Sequence, residues 1–154
     1  MMRYWSACAA ISTWLLCQAA WADGVGAQLI VALEHYRVAV LQMDFDDEIA
    51  SFTQDAELSQ GKEAPIQGRA QIRALILSQA AFKTVGYELR PVATRVLGSV
   101  AIQNGIFSRR SISPQHESTI MKGVFEVQWA RQADGSWLIS RLHTDPLEDQ
   151  PHTP

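Results

Sequence analysis

The chain has 154 residues, of which 13 are basic and 16 acidic, so its formal net charge is −3. Binding to nucleic acid needs a basic surface, so this mild acidity argues against a nucleic-acid partner. The length is enough for one hydrophobic core and too short for two ordinary domains.

The first 22 residues have the pattern of a secretory signal peptide. Arg3 gives a basic start, an almost uncharged stretch follows as far as Trp21, and Ala20 and Ala22 are the small residues that precede a cleavage site. We therefore expect cleavage after Ala22 and export to the periplasm or the medium. A retained membrane anchor is the alternative, but the apolar run is short and interrupted by polar residues such as Gln18.

Both cysteines, Cys8 and Cys17, lie in this segment, so the exported chain is expected to contain neither a disulfide nor a thiol. Cleavage also removes Arg3, which leaves 12 basic against 16 acidic side chains and a net charge of −4. Beyond Ala22 the sequence contains no apolar stretch long enough to span a membrane, so we expect no membrane association after cleavage.

The first half of the remaining chain has helical patterns. Apolar residues recur at three- and four-residue spacing between Ala27 and Met43, which predicts an amphipathic helix. The acidic residues 44–48 are typical of the start of a second, short helix, where free backbone N–H groups favour negative charge. A short strand is predicted at residues 55–58, a loop at 59–65 and a third helix from about Gly68 to Phe82.

The second half has strand patterns. Four stretches rich in β-branched and aromatic residues are separated by turn residues, and Asp134-Gly135 is the strongest hairpin signal. The predicted strands are 87–97, 100–110, 118–131 and 137–144. Helices followed by an antiparallel meander predict an α+β domain over residues 23–145, with the helices on one face of the sheet. Three prolines and no apolar pattern predict a disordered tail at 146–154.

Three segments, in this order, resemble the nuclear transport factor 2-like superfamily, which includes SnoaL-like and ketosteroid-isomerase-like domains. Residues 36–56 resemble the start of ketosteroid isomerase, residues 65–72 are similar to the family's Gly-Arg-x-x-Ile entry into the third helix, and residues 125–139 resemble its closing hairpin. The resemblance implies a cone-shaped fold with about three N-terminal helices on a curved, mostly antiparallel sheet, and a pocket between them. It does not imply one activity, since this fold carries many.

Ketosteroid isomerase uses a carboxylate base, a tyrosine and a protonated aspartic acid. The resemblance places Tyr36 at the tyrosine position, Gln60 at the base position and Val127 at the position of the second donor. An amide cannot accept and return a proton at neutral pH, so we expect no ketosteroid isomerase activity. A register shift of one residue would bring a neighbour of Val127 to the donor position. We interpret Tyr36, Gln60, Val127 and Trp129 as ligand-pocket residues, with a place in the core as the alternative for Tyr36 and Trp129.

His143 and Asp145 alternate on the last predicted strand, so both side chains are expected on one face, together with Trp137, Ile139 and Arg141. A His–carboxylate pair could perform acid–base catalysis, and these two residues are our catalytic candidates. The alternative is a solvated pair near a strand end. A β-bulge would change which side of the sheet these residues face.

Arg109 and Arg110 are adjacent on a predicted strand, so one guanidinium is expected on each side of the sheet. We interpret them as a solvated edge, with the alternative that one reaches the pocket mouth and an anionic ligand. The acidic residues 44–48 have no histidine beside them at ligand spacing, so helix capping explains them better than a metal site. We expect no metal and no cofactor.

These observations favour an exported domain that binds a small, largely apolar or aromatic molecule, and the resemblance implies a homodimer formed through the open sheet face. The first alternative is an enzyme of the isomerase, cyclase or dehydratase type, acting on a carbonyl compound with His143 or Asp145 as base and Tyr36 as hydrogen-bond donor. The second alternative is a protein-association module that uses the sheet face.

Overall fold

The computed structural model describes the backbone of residues 13–147 and the side chains of residues 24–147. Residues 1–12 of the expected signal peptide and residues 148–154 of the expected tail lie outside this part. The elements in chain order are α1 (Thr13–Gln42), α2 (Phe45–Ala50), β1 (Phe52–Gln60), β2 (Ile66–Gln67), α3 (Arg69–Ser78), β3 (Lys83–Leu97), β4 (Val100–Ile112), β5 (Ser118–Arg131) and β6 (Trp137–Pro146). Among these described helices, none combines the length and apolar character that a membrane span requires.

The strands form one six-stranded sheet in the order β2-β1-β6-β5-β4-β3. Neighbouring strands are antiparallel except for β1 and β6, which are parallel. The helices pack on one face of the sheet, with α1 mainly against β3 and α3 mainly against β1. We call this the inner face and the opposite side the outer face. The predicted α+β class and its mostly antiparallel sheet are confirmed.

Several boundaries differ from those expected: β1 covers Phe52–Gln60 rather than 55–58, β3 begins at Lys83 rather than 87, and β4 ends at Ile112 rather than 110. Helix α1 already includes residues 13–22, which the sequence assigned to the signal peptide. Helix α3 ends at Ser78 because the chain turns there, with the Phe82 amide donating to the Gln79 carbonyl at 2.9 Å. Strand β6 continues to Pro146, two residues beyond its predicted end at Thr144. The next amide, that of Leu147, still donates to the Lys122 carbonyl at 2.8 Å and extends the contact with β5.

The acidic residues after α1 do cap the next helix. Met43 ends α1 in a left-handed conformation, with φ of 56°. The Asp44 carboxylate then accepts a hydrogen bond from the Asp47 amide at 3.1 Å, at the N-cap of α2. A side-chain oxygen at this position satisfies an N–H group that the helix leaves unpaired. The capping interpretation is therefore confirmed for Asp44.

The core lies between the helices and the inner face of the sheet. Its most deeply buried large side chains come from both layers and are Leu29, Phe52, Ile72, Val127, Trp129 and Ile139. One polar group lies among them: Gln103 is 1% exposed, and its Oε1 accepts a hydrogen bond from Trp129 Nε1 at 2.8 Å. Burying an amide is tolerable only when it is hydrogen-bonded, so this pair fixes the Trp129 ring in one orientation.

Two glycines allow neighbouring strands to approach each other closely beside this core. A Cβ at Gly105 on β4 would overlap the backbone carbonyl of Arg90 on β3. A Cβ at Gly123 on β5 would likewise overlap the carbonyl of Asp145 on β6. Any larger residue would force the neighbouring strands apart at these points. The glycines therefore permit the close approach of neighbouring strands at these two points.

Candidate functional site

Five polar side chains meet at one end of the space between helices and sheet. Tyr36 comes from α1, Glu48 from α2, Thr84 and Tyr87 from β3, and Arg109 from β4. We call these five residues the polar cluster. Three of them, Glu48, Thr84 and Arg109, line a cavity of about 30 Å³. The rest of the cavity wall is supplied by Val40, Met43, Phe45, Ile76, Gln79 and Phe82.

The two tyrosines are buried and interact with each other. Tyr36 is 6% exposed and Tyr87 is 7% exposed, and their rings meet edge to face with centroids 6.4 Å apart. Phe52 packs against Tyr36 in the same way, at 5.8 Å. Burial raises the pKa of Tyr36 well above its usual value and that of Tyr87 to about 12. Both phenols therefore stay protonated at any physiological pH and can act as hydrogen-bond donors.

Glu48 is the acidic member of the polar cluster. Its removal from water raises the pKa of its carboxyl from 4.5 to about 7, and the nearby positive charge of Arg109 offsets only part of this effect. Near neutral pH the carboxyl is therefore protonated about half of the time. A carboxyl with such a pKa in a pocket can both give and accept a proton under physiological conditions.

Arg109 is held in place by Thr84. Its Nε and Nη2 donate to the Thr84 hydroxyl at 3.2 and 2.9 Å. Among the described side chains, no ion pair joins Arg109 directly to Glu48. The two groups of opposite charge thus line one small cavity without closing it by a salt bridge.

The adjacent arginines lie on opposite sides of the sheet, as expected. Arg109 faces the helices and the cavity, whereas Arg110 lines a groove on the outer face. The interpretation of both residues as a solvated edge is therefore wrong for Arg109. The position of Arg109 agrees with the alternative, in which one of the two arginines reaches the pocket.

The sequence-predicted pocket residues are distributed over several places. Tyr36 belongs to the polar cluster. Val127 and Trp129 are 0% and 1% exposed and are packed in the core, and neither lines this cavity. Trp129 instead lines a separate groove of about 540 Å³ between α1 and the sheet, beside Trp137. Gln60 is exposed at the end of β1, where its Nε2 lies 3.7 Å from Met121 Sδ. Of the four residues, the structure brings only Tyr36 to the polar cluster.

His143 and Asp145 do not face the polar cluster. His143 pairs with Glu126, and Asp145 with Val124, which alternate with the buried inner-face residues of β5. Both side chains consequently lie on the outer face, where His143 Nδ1 and Ser59 Oγ are 2.8 Å apart. The sheet separates them from Tyr36, so the catalytic arrangement expected from the sequence is not formed.

A β-bulge causes this separation. Trp129 pairs with Ile139 and Gln128 pairs with Arg141, so Ser140 is an extra residue on β6. Trp137 and Ile139, before the bulge, are buried on the inner face. After the bulge the alternation is reversed, and Arg141 lies on the outer face, 3.0 Å from Glu57. The residues Trp137, Ile139, Arg141, His143 and Asp145 would share one face of an ideal strand, but the bulge divides them between the inner and the outer face.

Sequence reasoning missed Glu48. It stands in a run of acidic residues that helix capping explains, and capping is indeed the role of Asp44. The distinguishing signal is its position beside Ile49, which is buried, and one helical turn after the cap. A carboxylate on the inward side of a short amphipathic helix cannot be fully solvated.

The outer face carries apolar side chains as well as charges. Val85, Ile106, Ile120 and Val124 are each between 41% and 48% exposed. A groove of about 610 Å³ passes over this face, and its charged lining residues are Glu88, Arg90, Arg110 and Lys122. Exposed apolar patches of this kind commonly mark contact surfaces between proteins.

Among the described residues, no group of three or more His, Cys, Asp or Glu side chains is arranged to hold a metal ion.

Solved structures with the same fold match this chain over most of its length. A ketosteroid isomerase-like protein from Erwinia carotovora atroseptica has a TM-score of 0.70 and 17% identity, with 79% of this chain and 95% of that chain covered. An NTF2-like protein with a cystatin-like fold from Novosphingobium aromaticivorans has a TM-score of 0.68 and 18% identity, with coverages of 91% and 94%. A protein from Catenulispora acidiphila, solved in complex with S-DNPA, has a TM-score of 0.69 and 14% identity, with coverages of 80% and 94%.

At these identities the likeness shows the fold alone, and it confirms the nuclear transport factor 2-like fold implied by the sequence. No protein-family model matches the sequence. No curated protein matches it significantly. Function therefore has to be argued from the residues of the site.

Proposed function

We propose that this chain is an exported domain that binds a small molecule between its helices and its sheet, with the polar cluster as the recognition site. The observation that carries the proposal is that Glu48 and Arg109 line one cavity, with two buried tyrosines close to them. Pockets that combine apolar walls with a few convergent polar groups are the usual form of a small-molecule site. One protein of this fold has been solved with a small molecule bound.

The cavity limits how the ligand binds. About 30 Å³ is close to the volume of one water molecule, so only a small polar group can enter it without rearrangement. The apolar body of the ligand would lie at the mouth, where Phe82 is 47% exposed beside Gln79. The expected apolar ligand is thus refined to a molecule with a polar head and an apolar body.

Native mass spectrometry of protein purified from the export compartment of its own host tests this proposal. The matched pair of variants is Arg109→Gln, which alters the polar cluster, and Arg110→Gln, which makes the same change on the outer face. We expect a retained ligand in the wild type and in Arg110→Gln, and its loss in Arg109→Gln. Equal retention in both variants would place the ligand elsewhere. The same sample tests export, because cleavage after Ala22 gives a chain that starts at Asp23.

The second candidate function is an enzyme of the isomerase or dehydratase type, and the pKa of about 7 for Glu48 favours it. Glu48 would transfer the proton, while Arg109, which lines the same cavity, would donate a hydrogen bond to the carbonyl oxygen of the substrate. Incubating the retained ligand with protein in heavy water measures this directly. Enzyme action predicts uptake of deuterium that Glu48→Gln abolishes without loss of binding. Binding without exchange in the wild type would leave only the first function.

We also propose that the protein forms a homodimer through the apolar outer face, which leaves the inner site available to ligand. A charged residue at Ile106 or Ile120 is expected to convert a dimer to a monomer in light scattering after gel filtration, because a buried unpaired charge is costly. An unchanged mass would exclude this face as the interface. If the outer face instead bound a different protein, the wild type would be monomeric.

A further inference from the structure

We infer that the ligand of the polar cluster carries a carboxylate head group, which binds at Arg109 and is accompanied by protonation of Glu48. This inference rests on the proposed small-molecule function and adds to it the charge of the ligand and the proton that travels with it.

The guanidinium of Arg109 is prepared for an anion. Both bonds to Thr84 use Nε and Nη2, which fixes the plane of the group. The hydrogen bonds of Arg109 among the described residues use Nε and Nη2, and none uses Nη1. An arginine has five N–H donors, so two remain on this nitrogen for a ligand. Preorganised guanidinium groups of this kind are typical of carboxylate recognition.

The size of the cavity selects a small head group. A volume of about 30 Å³ accepts a planar group of three heavy atoms only with a slight movement of the wall, where Met43 and Gln79 have flexible side chains. A phosphate or sulfate group has five heavy atoms and would require a larger opening. A carboxylate also suits the second polar wall, since a protonated Glu48 can donate a hydrogen bond to it.

The charges around Glu48 favour an anion when Glu48 is neutral. The side chains facing it from α1 and β3 include Tyr36 and Tyr87, which remain uncharged because burial raises their pKa values. Strand β4 supplies Arg109, the charged group that acts on the Glu48 carboxyl. Helix α3 contributes Ile76 and Gln79, which do not titrate, and β1 contributes Phe52.

The polar cluster therefore alternates between two charge states. With Glu48 ionised, its charge balances that of Arg109, and an incoming anion would meet no net attraction. With Glu48 protonated, Arg109 is left as a single uncompensated cation in a poorly solvated site, where attraction for an anion is strong. Anion binding and proton binding are consequently linked, and affinity for the anion falls as pH rises through the range in which Glu48 ionises.

The test is a titration of the Glu48 side-chain carboxyl by carbon-13 NMR, with acetate as the probe and acetamide as its neutral control. Acetate at ten times its dissociation constant is expected to raise the titration midpoint of Glu48 by about one pH unit, whereas acetamide leaves it unchanged. The Arg110→Gln variant should respond as the wild type does, and Arg109→Gln should lose the response. The comparison of acetate with acetamide in the wild-type protein tests the inference even if Arg109→Gln does not fold.

The outcomes separate this inference from the proposed function. If acetamide perturbs the signals of the polar cluster and acetate does not raise the midpoint, the pocket binds small molecules but the carboxylate inference is wrong. If neither compound perturbs these signals up to the high-millimolar range, both proposals are overturned. An equal response to acetate in Arg109→Gln would overturn the role assigned to Arg109.

Discussion

The substitution Glu48→Gln should make the protein more stable at alkaline pH and less sensitive to pH. In the folded state the pKa of Glu48 is about 7, compared with an ordinary value of 4.5. The folded protein therefore binds this proton more tightly than the unfolded chain, so the contribution to stability is complete below about pH 4.5 and is lost as pH rises through about 7. At about 1.4 kcal/mol per pH unit the full difference corresponds to about 3 kcal/mol. Because Glu48 keeps some contact with solvent, we expect about 1 to 2 kcal/mol to be measured.

Urea unfolding at several pH values between about 5 and 8 measures this effect through the free energy of unfolding. Wild type should lose about 1 to 2 kcal/mol more than Glu48→Gln across this range, and the variant should be the more stable of the two at the upper end. The control is Glu63→Gln, since Glu63 is an exposed carboxylate in the loop between β1 and β2. It should follow the wild-type profile. Parallel profiles for wild type and Glu48→Gln would refute the burial of this carboxyl.

Three further substitutions test the framework that positions the site. In urea titrations, Gly105→Ala should lower the free energy of unfolding by about 2 to 4 kcal/mol because the new methyl group overlaps the neighbouring strand. The control Gly26→Ala has open space around it and should change the free energy of unfolding by less than about 1 kcal/mol. Trp129→Phe leaves Gln103 Oε1 buried without its donor and should lower the free energy of unfolding by about 2 to 3 kcal/mol in thermal unfolding. Adding Gln103→Leu to the same chain should restore part of this stability, and no recovery would argue against the hydrogen bond. Asp44→Ala removes the N-cap of α2 and should cost about 1 kcal/mol by the same assay, and an unchanged melting temperature would contradict the capping role.

The general architecture could be predicted from the sequence because the sequence patterns of helices, strands and turns are local. Strand β5 has the predicted bounds, Ser118–Arg131, and the hairpin after it has Gly135 at φ of 87°, which the Asp-Gly turn requires. The parallel pairing of β1 with β6 was not predicted. It joins segments about eighty residues apart, and nothing in either strand taken alone specifies its partner.

The site was harder to predict from the sequence because it depends on which side of the sheet each side chain faces. The extra residue Ser140 reverses the alternation in β6 and carries His143 to the outer face. A second register shift, between Thr84 and Gly86 on β3, places both Thr84 and Tyr87 among the buried residues. One inserted residue changes the side of every following side chain, and no residue type marks these bulges in advance.

For a related reason, the sequence identified Tyr36 of the polar cluster but not Glu48. Tyr36 lies on a long helix whose periodicity is clear over several turns. Glu48 lies on a helix of six residues, too short for a period to be read. Its neighbour Asp46 forms an ion pair with Arg73, and the Asp47 carboxylate lies 3.1 Å from His35 Nε2, both at the surface, so the run as a whole has the composition of a solvated helix start.

A crystal structure of the protein carrying the ligand that it retains on purification from its host tests the central claim most directly. Recognition at the polar cluster predicts a polar group of the ligand within hydrogen-bond distance of Arg109 Nη1 and Glu48, with its apolar part against Phe82. Ligand bound in the outer-face groove, with only water beside Arg109 and Glu48, would contradict it.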